Sequence, residues 1–264
     1  MLKWIEALLH VTLANLVPIW GFTQASWSPG TTLALYWVQT AIAIPILTVL
    51  IVAHRRLTRK AGHYAGTSTT RDSRGIVTTR RATFLEGFLW MSIPFTLAHG
   101  VFLAVLLGLL WKDAIDPSDL RTGTIGILNV LAFGFAIDML SLRNRSFAWI
   151  EQRAGTVMQR TLVVHLAIIF GMALAAFTGR DVGALFGVFL ALKVLMDVLS
   201  ELPAYDPKEA PAWLVRLANR LADKGKGEDF AAEWRRQREA MRKNAELAEQ
   251  TVESLDAGAT SGER

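Results

Sequence analysis

The chain has no cysteine among its 264 residues. This absence excludes disulfide bonds, thiolate metal sites, iron–sulfur clusters and cysteine nucleophiles. Any bound metal ion would depend on histidine, aspartate or glutamate. The sequence also lacks G-x-S-x-G, H-E-x-x-H and the P-loop. These patterns hold a serine nucleophile, a catalytic zinc ion or a nucleotide phosphate, so we expect no enzyme of those classes.

Charged residues are scarce, at 19% of the chain, whereas 52% of residues are hydrophobic. The mean hydropathy is +0.32. A soluble domain of this composition would have to bury several apolar runs of about 20 residues, the length that crosses a bilayer core of about 30 Å. These values predict an all-α, polytopic membrane protein.

Six apolar runs are candidate membrane spans. They cover about 5–22, 31–53, 87–111, 124–142, 161–178 and 182–200. Together they predict a transmembrane domain of residues 1–202. Asn15 and Pro18 interrupt the first run and no clear cleavage site follows it, so we expect it to be kept as a span and not removed as a signal peptide.

The run from His54 to Arg81 predicts the orientation of these spans. It holds eight arginine and lysine residues and one acid, Asp72. Basic loops favour the cytoplasm, and this placement also puts the basic 143–160 link and the C-terminal tail inside. We therefore expect a bacterial or archaeal plasma-membrane protein with both termini cytoplasmic. The Gly, Ser and Thr content from Arg59 to Thr83 predicts a solvated, mobile loop.

The net charge of +5 lies in short blocks beside apolar runs, which favours an anionic membrane surface as the partner and argues against nucleic acid. The basic residues expected at the lipid surface are Arg55, Arg56, Arg59, Lys60, Arg80, Arg81, Arg216 and Arg220.

Residues 203–264 form a predicted cytoplasmic tail. Leu214, Leu217 and Leu221 share one helical face, which is typical of a helix lying on the inner leaflet. Residues 229–255 carry a weak heptad pattern that fits either a solvated helix or a coiled coil. The end of the chain, from Ala257, is expected to be disordered. The tail could bind lipids, another copy of the chain or other membrane subunits.

Five ionisable residues inside the spans are expected to share one polar layer in the cytoplasmic half of the bundle. They are His10, Asp138, His165, Lys193 and Asp197. Ionisable groups are costly in hydrocarbon, so they typically have an ionic or hydrogen-bonding partner or serve a function. One interpretation is a cation, metal or proton site with histidine nitrogens and carboxylates as ligands. The other is a satisfied network, in which Lys193 pairs with Asp197 and Asp138 reaches back to an arginine at its helix end.

A divalent metal or a haem is a further possibility for the histidines. No span carries an i, i+3 or i, i+4 pair of ligands, which weakens the metal interpretation. A haem between His99 and His165 would need both at one depth, but their positions differ by roughly 10 Å along the membrane normal. His99 followed by Gly100 instead predicts close helix packing.

Four short stretches carry a resemblance to a known family. They are L-A-N-L-V-P-I-W-G from Leu13, L-Y-W-V-Q ending at Gln39, A-H-G-V-F around His99 and V-V-H-L-A-I around His165. Over Leu13 to Ser200, without the tail, the chain resembles an uncharacterised bacterial and archaeal family of six-helix integral membrane proteins.

The resemblance implies a membrane location and no assigned activity. The positions it singles out are Asn15, Tyr36, Trp37, His99 and His165. The family commonly has an acid where this chain has Gln39, so the chain departs from the family pattern at this position.

We therefore expect a membrane-embedded binding or assembly module. The alternative is a small cation or proton transporter that uses Asp138, His165 and Asp197. A third interpretation is a haem-binding or lipid-modifying membrane protein.

Overall fold

The structure, a computed structural model, describes residues 12, 15–64, 66–71, 77–110, 115–157, 159, 162, 182–201, 207, 209–221 and 230–253. These residues form an all-helical fold with one short β-hairpin, which confirms the predicted all-α class. The helices are α1 (residues 15–23), α2 (Pro29–Thr58), α3 (Phe84–Leu110), α4 (Pro117–Ser141), α5 (147–157), α6 (Val182–Glu201), α7 (Ala212–Leu221) and α8 (Phe230–Glu249).

Three helical segments in this part of the chain are long and apolar enough to cross a membrane. They are Pro29–Thr58, Phe84–Val105 and Pro117–Asn144. α2 extends beyond the predicted span 31–53 at both ends. Most of the predicted span 161–178 and the first part of the span 5–22 lie outside the described residues.

Local capping explains where these helices begin. The Ser28 hydroxyl accepts a hydrogen bond from the Thr31 backbone at 3.0 Å, and Pro29 follows at the first turn of α2. The Asp116 carboxylate accepts from the backbone of Ser118 and Asp119 at the start of α4. α2 ends where Arg59 adopts a left-handed conformation with φ 50°.

α2 lies at the centre of the bundle and packs against both α3 and α4. Two apolar clusters lie along its length. One joins α2, α3 and α6 through Leu33, Tyr36, Leu103, Leu107, Phe186, Phe189 and Leu190. The other lies nearer the end that leads into the basic loop and includes Ile44, Leu47, Leu50, Ile51, Phe88, Leu142, Phe147, Ile150 and Ala154.

Gly100 lets α2 and α3 approach closely. The Trp37 indole N–H donates to the Thr96 carbonyl at 3.0 Å. A Cβ at Gly100 would lie 2.7 Å from the Trp37 ring, which leaves no room for a side chain. The close packing predicted beside His99 is present, and Trp37 is the residue that occupies the space.

The basic loop contains structure that the sequence analysis missed. Strand β1 (Gly66–Arg71) pairs antiparallel with β2 (Val77–Ala82), with Gly66 opposite Ala82. The predicted loop therefore contains regular structure, and its mobility stays a prediction. Threonine is common in solvated loops, but its branched side chain also favours a strand, as in Gly66–Arg71 and Val77–Ala82.

The C-terminal helix α8 is attached to the bundle near its end. The Ala61 N–H donates to the Gln250 carbonyl at 2.8 Å, and the Val252 N–H donates to the Arg59 carbonyl at 3.1 Å. Ala248 packs against the second apolar cluster. No residue of α8 is buried, so α8 is a largely solvated helix anchored by its last turn.

Candidate binding site in the bundle interior

Three buried polar side chains from α1 and α6 form a closed hydrogen-bonded group, the triad Asn15–Lys193–Asp197. The Lys193 ammonium donates to Asp197 Oδ2 at 2.6 Å and to Asn15 Oδ1 at 2.8 Å. The Asn15 amide N–H donates to the same Asp197 oxygen at 2.7 Å. All three residues are at most 3% exposed. Each charge therefore has an opposite charge and an amide dipole beside it.

Helix geometry brings two members of the triad together. Lys193 and Asp197 are four residues apart in α6 and so share one face, as the sequence predicted. Asn15 reaches them from a position 178 residues earlier in the chain. Burying two charges costs several kcal/mol of desolvation per ion, and short bonds between them offset that cost.

Tyr36 of α2 covers the lysine of the triad. The Lys193 nitrogen lies 4.5 Å from the centre of the Tyr36 ring, a cation–π contact. The ring also meets Phe189 of α6 edge-on at 5.9 Å. Tyr36 is buried, and within the described part of the chain its hydroxyl has no hydrogen-bond partner. Buried hydroxyls are nearly always hydrogen-bonded, so this one points to a missing partner.

A small cavity of about 30 Å³ adjoins this group. Its polar wall is made by Tyr36, Gln39, Thr40 and Lys193, and its apolar wall by Ala43, Leu131 and Val157. The wall offers hydroxyl, amide and ammonium groups. A cavity needs at least roughly 10–15 Å³ to hold one water molecule, so water fits here.

The site lies near one end of α2. Tyr36 lies roughly 10 Å from the start of α2 and 33 Å from the end that carries the basic loop. Lys193 touches Tyr36 and therefore lies at the same level along α2. The polar layer in the cytoplasmic half of the bundle stays a prediction.

Asp138 belongs to a second, separate ion pair. The Arg153 guanidinium of α5 donates to both of its oxygens, at 3.0 and 3.1 Å. In one of the two interpretations of the sequence, Asp138 reaches back to an arginine at its own helix end, but Arg153 lies in α5. The chain turns through a short 3₁₀ segment, Leu142–Asn144, and α5 runs back beside α4, which brings Arg153 to the carboxylate.

The predicted metal and haem sites are not assembled in the described residues. His10 and His165 lie outside them, so the haem and metal hypotheses stay predictions. His99 is buried and lies 6.4 Å from the Phe102 ring. Within the residues searched, no three histidine, aspartate or glutamate side chains are grouped as metal ligands.

The basic residues assigned to the lipid surface have varied surroundings. Lys60 forms an ion pair with Glu249, and Arg59 forms one with Glu253. Arg55 and Arg56 lie in the last turn of α2, and Arg80 and Arg81 lie in β2. In α7, the Arg216 side chain donates to the Ala212 carbonyl at 3.3 Å, and Arg220 lies in the last turn.

A buried histidine pair at the end of α2 was not predicted. His54 Nε2 lies 3.1 Å from the Arg145 carbonyl, so this nitrogen carries a proton and donates. In neutral His54 the other nitrogen, Nδ1, therefore accepts, and His63 Nε2–H donates to it at 2.7 Å. His63 Nδ1 is then a bare nitrogen, buried and without a partner in the described residues. Burial, and then the nearby His54 and Arg55 charges, lower the pKa of His63 to about 4.

No sequence signal joins these histidines, because their nine-residue separation runs across the end of a helix. The only available hint is that His54 ends a long apolar run and would need a partner if buried.

Comparison with known proteins places the chain in a family. No curated protein matches it, and no solved structure matches it. A family model described as a family of unknown function, DUF6498, matches residues 4–228. The match extends beyond the predicted limits Leu13 and Ser200 at both ends, and it includes α7, which the resemblance left out. The chain belongs to this family of unknown function, DUF6498.

Proposed function

We propose that this protein is an integral membrane protein with six spans that serves as a membrane-embedded binding module. Its site is the triad Asn15–Lys193–Asp197 together with Tyr36 and the adjoining cavity. The protein lies in a bacterial or archaeal plasma membrane with both termini in the cytoplasm. The observation that carries the proposal is the buried, hydrogen-bonded triad between otherwise apolar helices.

Contacts between chain segments support the proposed topology. The pair Lys60–Glu249 and the hydrogen bond from the Ala148 N–H to Glu249 bring the basic loop, the start of α5 and the tail together. An even number of proposed spans separates these segments from one another. At the other end, the Asp116 N–H donates to the Thr31 hydroxyl at 3.1 Å, which joins the starts of α4 and α2. All of these contacts agree with six crossings that leave the basic loop, the start of α5 and the tail on the same side of the membrane.

Outward-facing apolar residues support contact with lipid. In α3, Trp90 is 80% exposed and Val101 67% exposed. Exposed apolar surface of this kind on a helix of membrane length suits hydrocarbon. In α7, Trp213 and Leu217 are exposed one turn apart, with Arg216 and Arg220 beside them. This arrangement suits a helix lying on an anionic leaflet.

A stability argument favours binding over a purely structural role for the triad. Replacing a complete buried ion pair by apolar residues is often neutral or stabilising, whereas removing one partner costs about 3–5 kcal/mol. A structural role alone would therefore not require charged residues at these positions. Intramembrane ionisable residues typically mark a site for a polar ligand, an ion or a proton.

The topology has a direct test because the chain has no native cysteine. Single cysteines are placed by Ser118→Cys, Thr70→Cys and Glu246→Cys in intact cells. A membrane-impermeant maleimide should label Ser118→Cys from outside, and the other two variants only after permeabilisation. Labelling of Thr70→Cys in intact cells would overturn the orientation.

The role of the triad is tested by stability in detergent. Asp197→Leu alone should lower the free energy of unfolding by about 3–5 kcal/mol. The matched variant Asn15→Leu/Lys193→Met/Asp197→Leu should be as stable as the wild type or more so. If the triple variant is as unstable as the single one, the triad serves as a structural element and the proposed binding site is wrong.

A further inference from the structure

We infer that the cavity beside Tyr36 holds a water molecule and that this water makes the Lys193–Asp197 pair a site of proton exchange. The inference rests on the proposed function, because it names the ligand of the same site.

The unpartnered hydroxyl and the cavity provide the first step. Tyr36 lines the cavity, and its buried hydroxyl has no hydrogen-bond partner in the described residues. The volume of about 30 Å³ holds one or two water molecules. Gln39, Thr40 and Lys193 supply further polar groups on the same wall. A bound water needs two to four polar partners, and this wall offers that number.

The charge of Lys193 and the size of the cavity favour water over a metal cation or an organic solute as the ligand. A metal cation would be repelled by the Lys193 ammonium, and Asp197 Oδ2 already accepts two hydrogen bonds, from Lys193 and Asn15. The small volume of the cavity suits a molecule of the size of water. Water is neutral and both donates and accepts hydrogen bonds, so it can bind the Tyr36 hydroxyl and the ammonium together.

Proton exchange follows from the 2.6 Å bond between Lys193 Nζ and Asp197 Oδ2. For uptake, Lys193 first passes one of its protons to Asp197, which leaves a neutral amine beside the cavity. A hydronium ion in the cavity then gives one proton to this amine. One O–H bond and one N–H bond break, and one N–H bond and one O–H bond form. The products are water, the ammonium and a neutral carboxylic acid. Release reverses these steps and restores the carboxylate.

Lys193, and not Asp197, lines the cavity, so the proton is expected to enter through the lysine. The role of Tyr36 is to hold the water. It is a positioning residue and undergoes no net change.

The water is tested by radiolytic footprinting of the full-length protein in ¹⁸O-labelled water. Tyr36 should gain an oxygen label although it is buried, while the buried Phe147, away from the cavity, should not. Exposed Tyr64 serves as the positive control. The variant Ala43→Val fills the cavity and should remove the label from Tyr36. An unlabelled Tyr36 in the wild type would overturn the water site.

Proton exchange is tested in vesicles that contain a trapped pH-sensitive dye, with an imposed membrane potential. The wild type should acidify the vesicles faster than protein-free vesicles do. Tyr36→Phe removes one hydroxyl and should lower this rate at least about ten-fold without loss of thermal stability. Thr96→Val is the matched control. It also removes a buried hydroxyl that has no hydrogen-bond partner among the described residues, but Thr96 does not line the cavity.

Two results would overturn the proton step: a wild-type rate equal to that of empty vesicles, or an unchanged rate in Tyr36→Phe. Either result, obtained while the cysteine labelling and the triple variant behave as proposed, would refute proton exchange and leave the membrane-embedded site standing. Labelling of Thr70→Cys, and not of Ser118→Cys, in intact cells would instead refute the proposed function.

Discussion

Lys60 and Glu249 form an ion pair that joins the second residue after the end of α2 to the last turn of α8. The second oxygen of Glu249 accepts a hydrogen bond from the Ala148 N–H at 2.9 Å, so one carboxylate links three parts of the chain. Partial burial raises the pKa of Glu249, but the hydrogen bonds and charge of Lys60 and the backbone N–H groups of Phe147 and Ala148 outweigh this and lower it. The ionised carboxylate is therefore the form that holds the tail.

Removing this charge should loosen the tail. We expect Glu249→Gln to weaken docking of α8 by about 1 kcal/mol, because the amide cannot form an ion pair with Lys60. Limited proteolysis of the tail should become faster. Glu253→Gln is the matched control, since its pair with Arg59 is solvent-exposed and should contribute less than about 0.5 kcal/mol. Equal proteolysis rates in both variants would contradict a special role for Glu249.

The histidine pair should make stability depend on pH. The pKa of His63 is lowered from 6.5 to about 4, so the unfolded chain takes up its proton first as the pH falls. Stability should therefore be full above pH 6.5 and decline between pH 6.5 and about 4. The stability that ionised Glu249 contributes is lost at lower pH, as the pH falls below 4.5, the ordinary pKa of this carboxyl group.

The measurement compares thermal unfolding of the wild type and His63→Gln at about pH 7.5 and pH 5. The glutamine amide can still donate to His54 but does not titrate. The wild type should lose more stability than the variant over this interval. An equal loss in both proteins would show that His63 is not the titrating group.

Close packing at Gly100 predicts opposite effects for two glycines. Gly100→Ala should destabilise the protein by about 1–3 kcal/mol, because its Cβ would lie 2.7 Å from the Trp37 ring. Gly134→Ala in α4 meets nothing within 4 Å and should stabilise the helix by up to about 1 kcal/mol. Unfolding in detergent measures both stability changes. A Gly100→Ala protein as stable as the wild type would contradict the close contact between α2 and α3.

The ion pair between Arg153 and Asp138 predicts that replacing Arg153 lowers stability more than replacing Arg143. Arg153→Gln should lower stability by about 3 kcal/mol, because it leaves a buried carboxylate without its charged partner. Arg143→Gln, at the exposed end of α4, should change stability by less than about 0.5 kcal/mol. A larger loss of stability in Arg143→Gln than in Arg153→Gln would indicate that Asp138 pairs with an arginine at the end of its own helix.

Much of the helical framework could be predicted from local sequence. The apolar runs that became α2, α3 and α4 are long enough to span a bilayer, and their composition leaves no other regular structure that satisfies the backbone. The Lys193–Asp197 pair was also predictable, because residues four apart on a helix are always neighbours.

Contacts across large sequence separations could not be predicted. Asn15 joins Asp197 across 182 positions, and His54 joins Arg145 across 91. Such contacts depend on which helices lie side by side and at what relative height. Hydropathy reports neither quantity.

The all-helical class, the membrane-length apolar helices and the position of the basic loop follow from the amino-acid sequence alone, because they depend on composition and on the local period of a helix. The contacts of Asn15 and Tyr36 with Lys193, of Arg153 with Asp138 and of Glu249 with Lys60 became visible only in the folded chain. A buried charge needs a partner close to it in space, and the packing of the helices sets which partner is within reach.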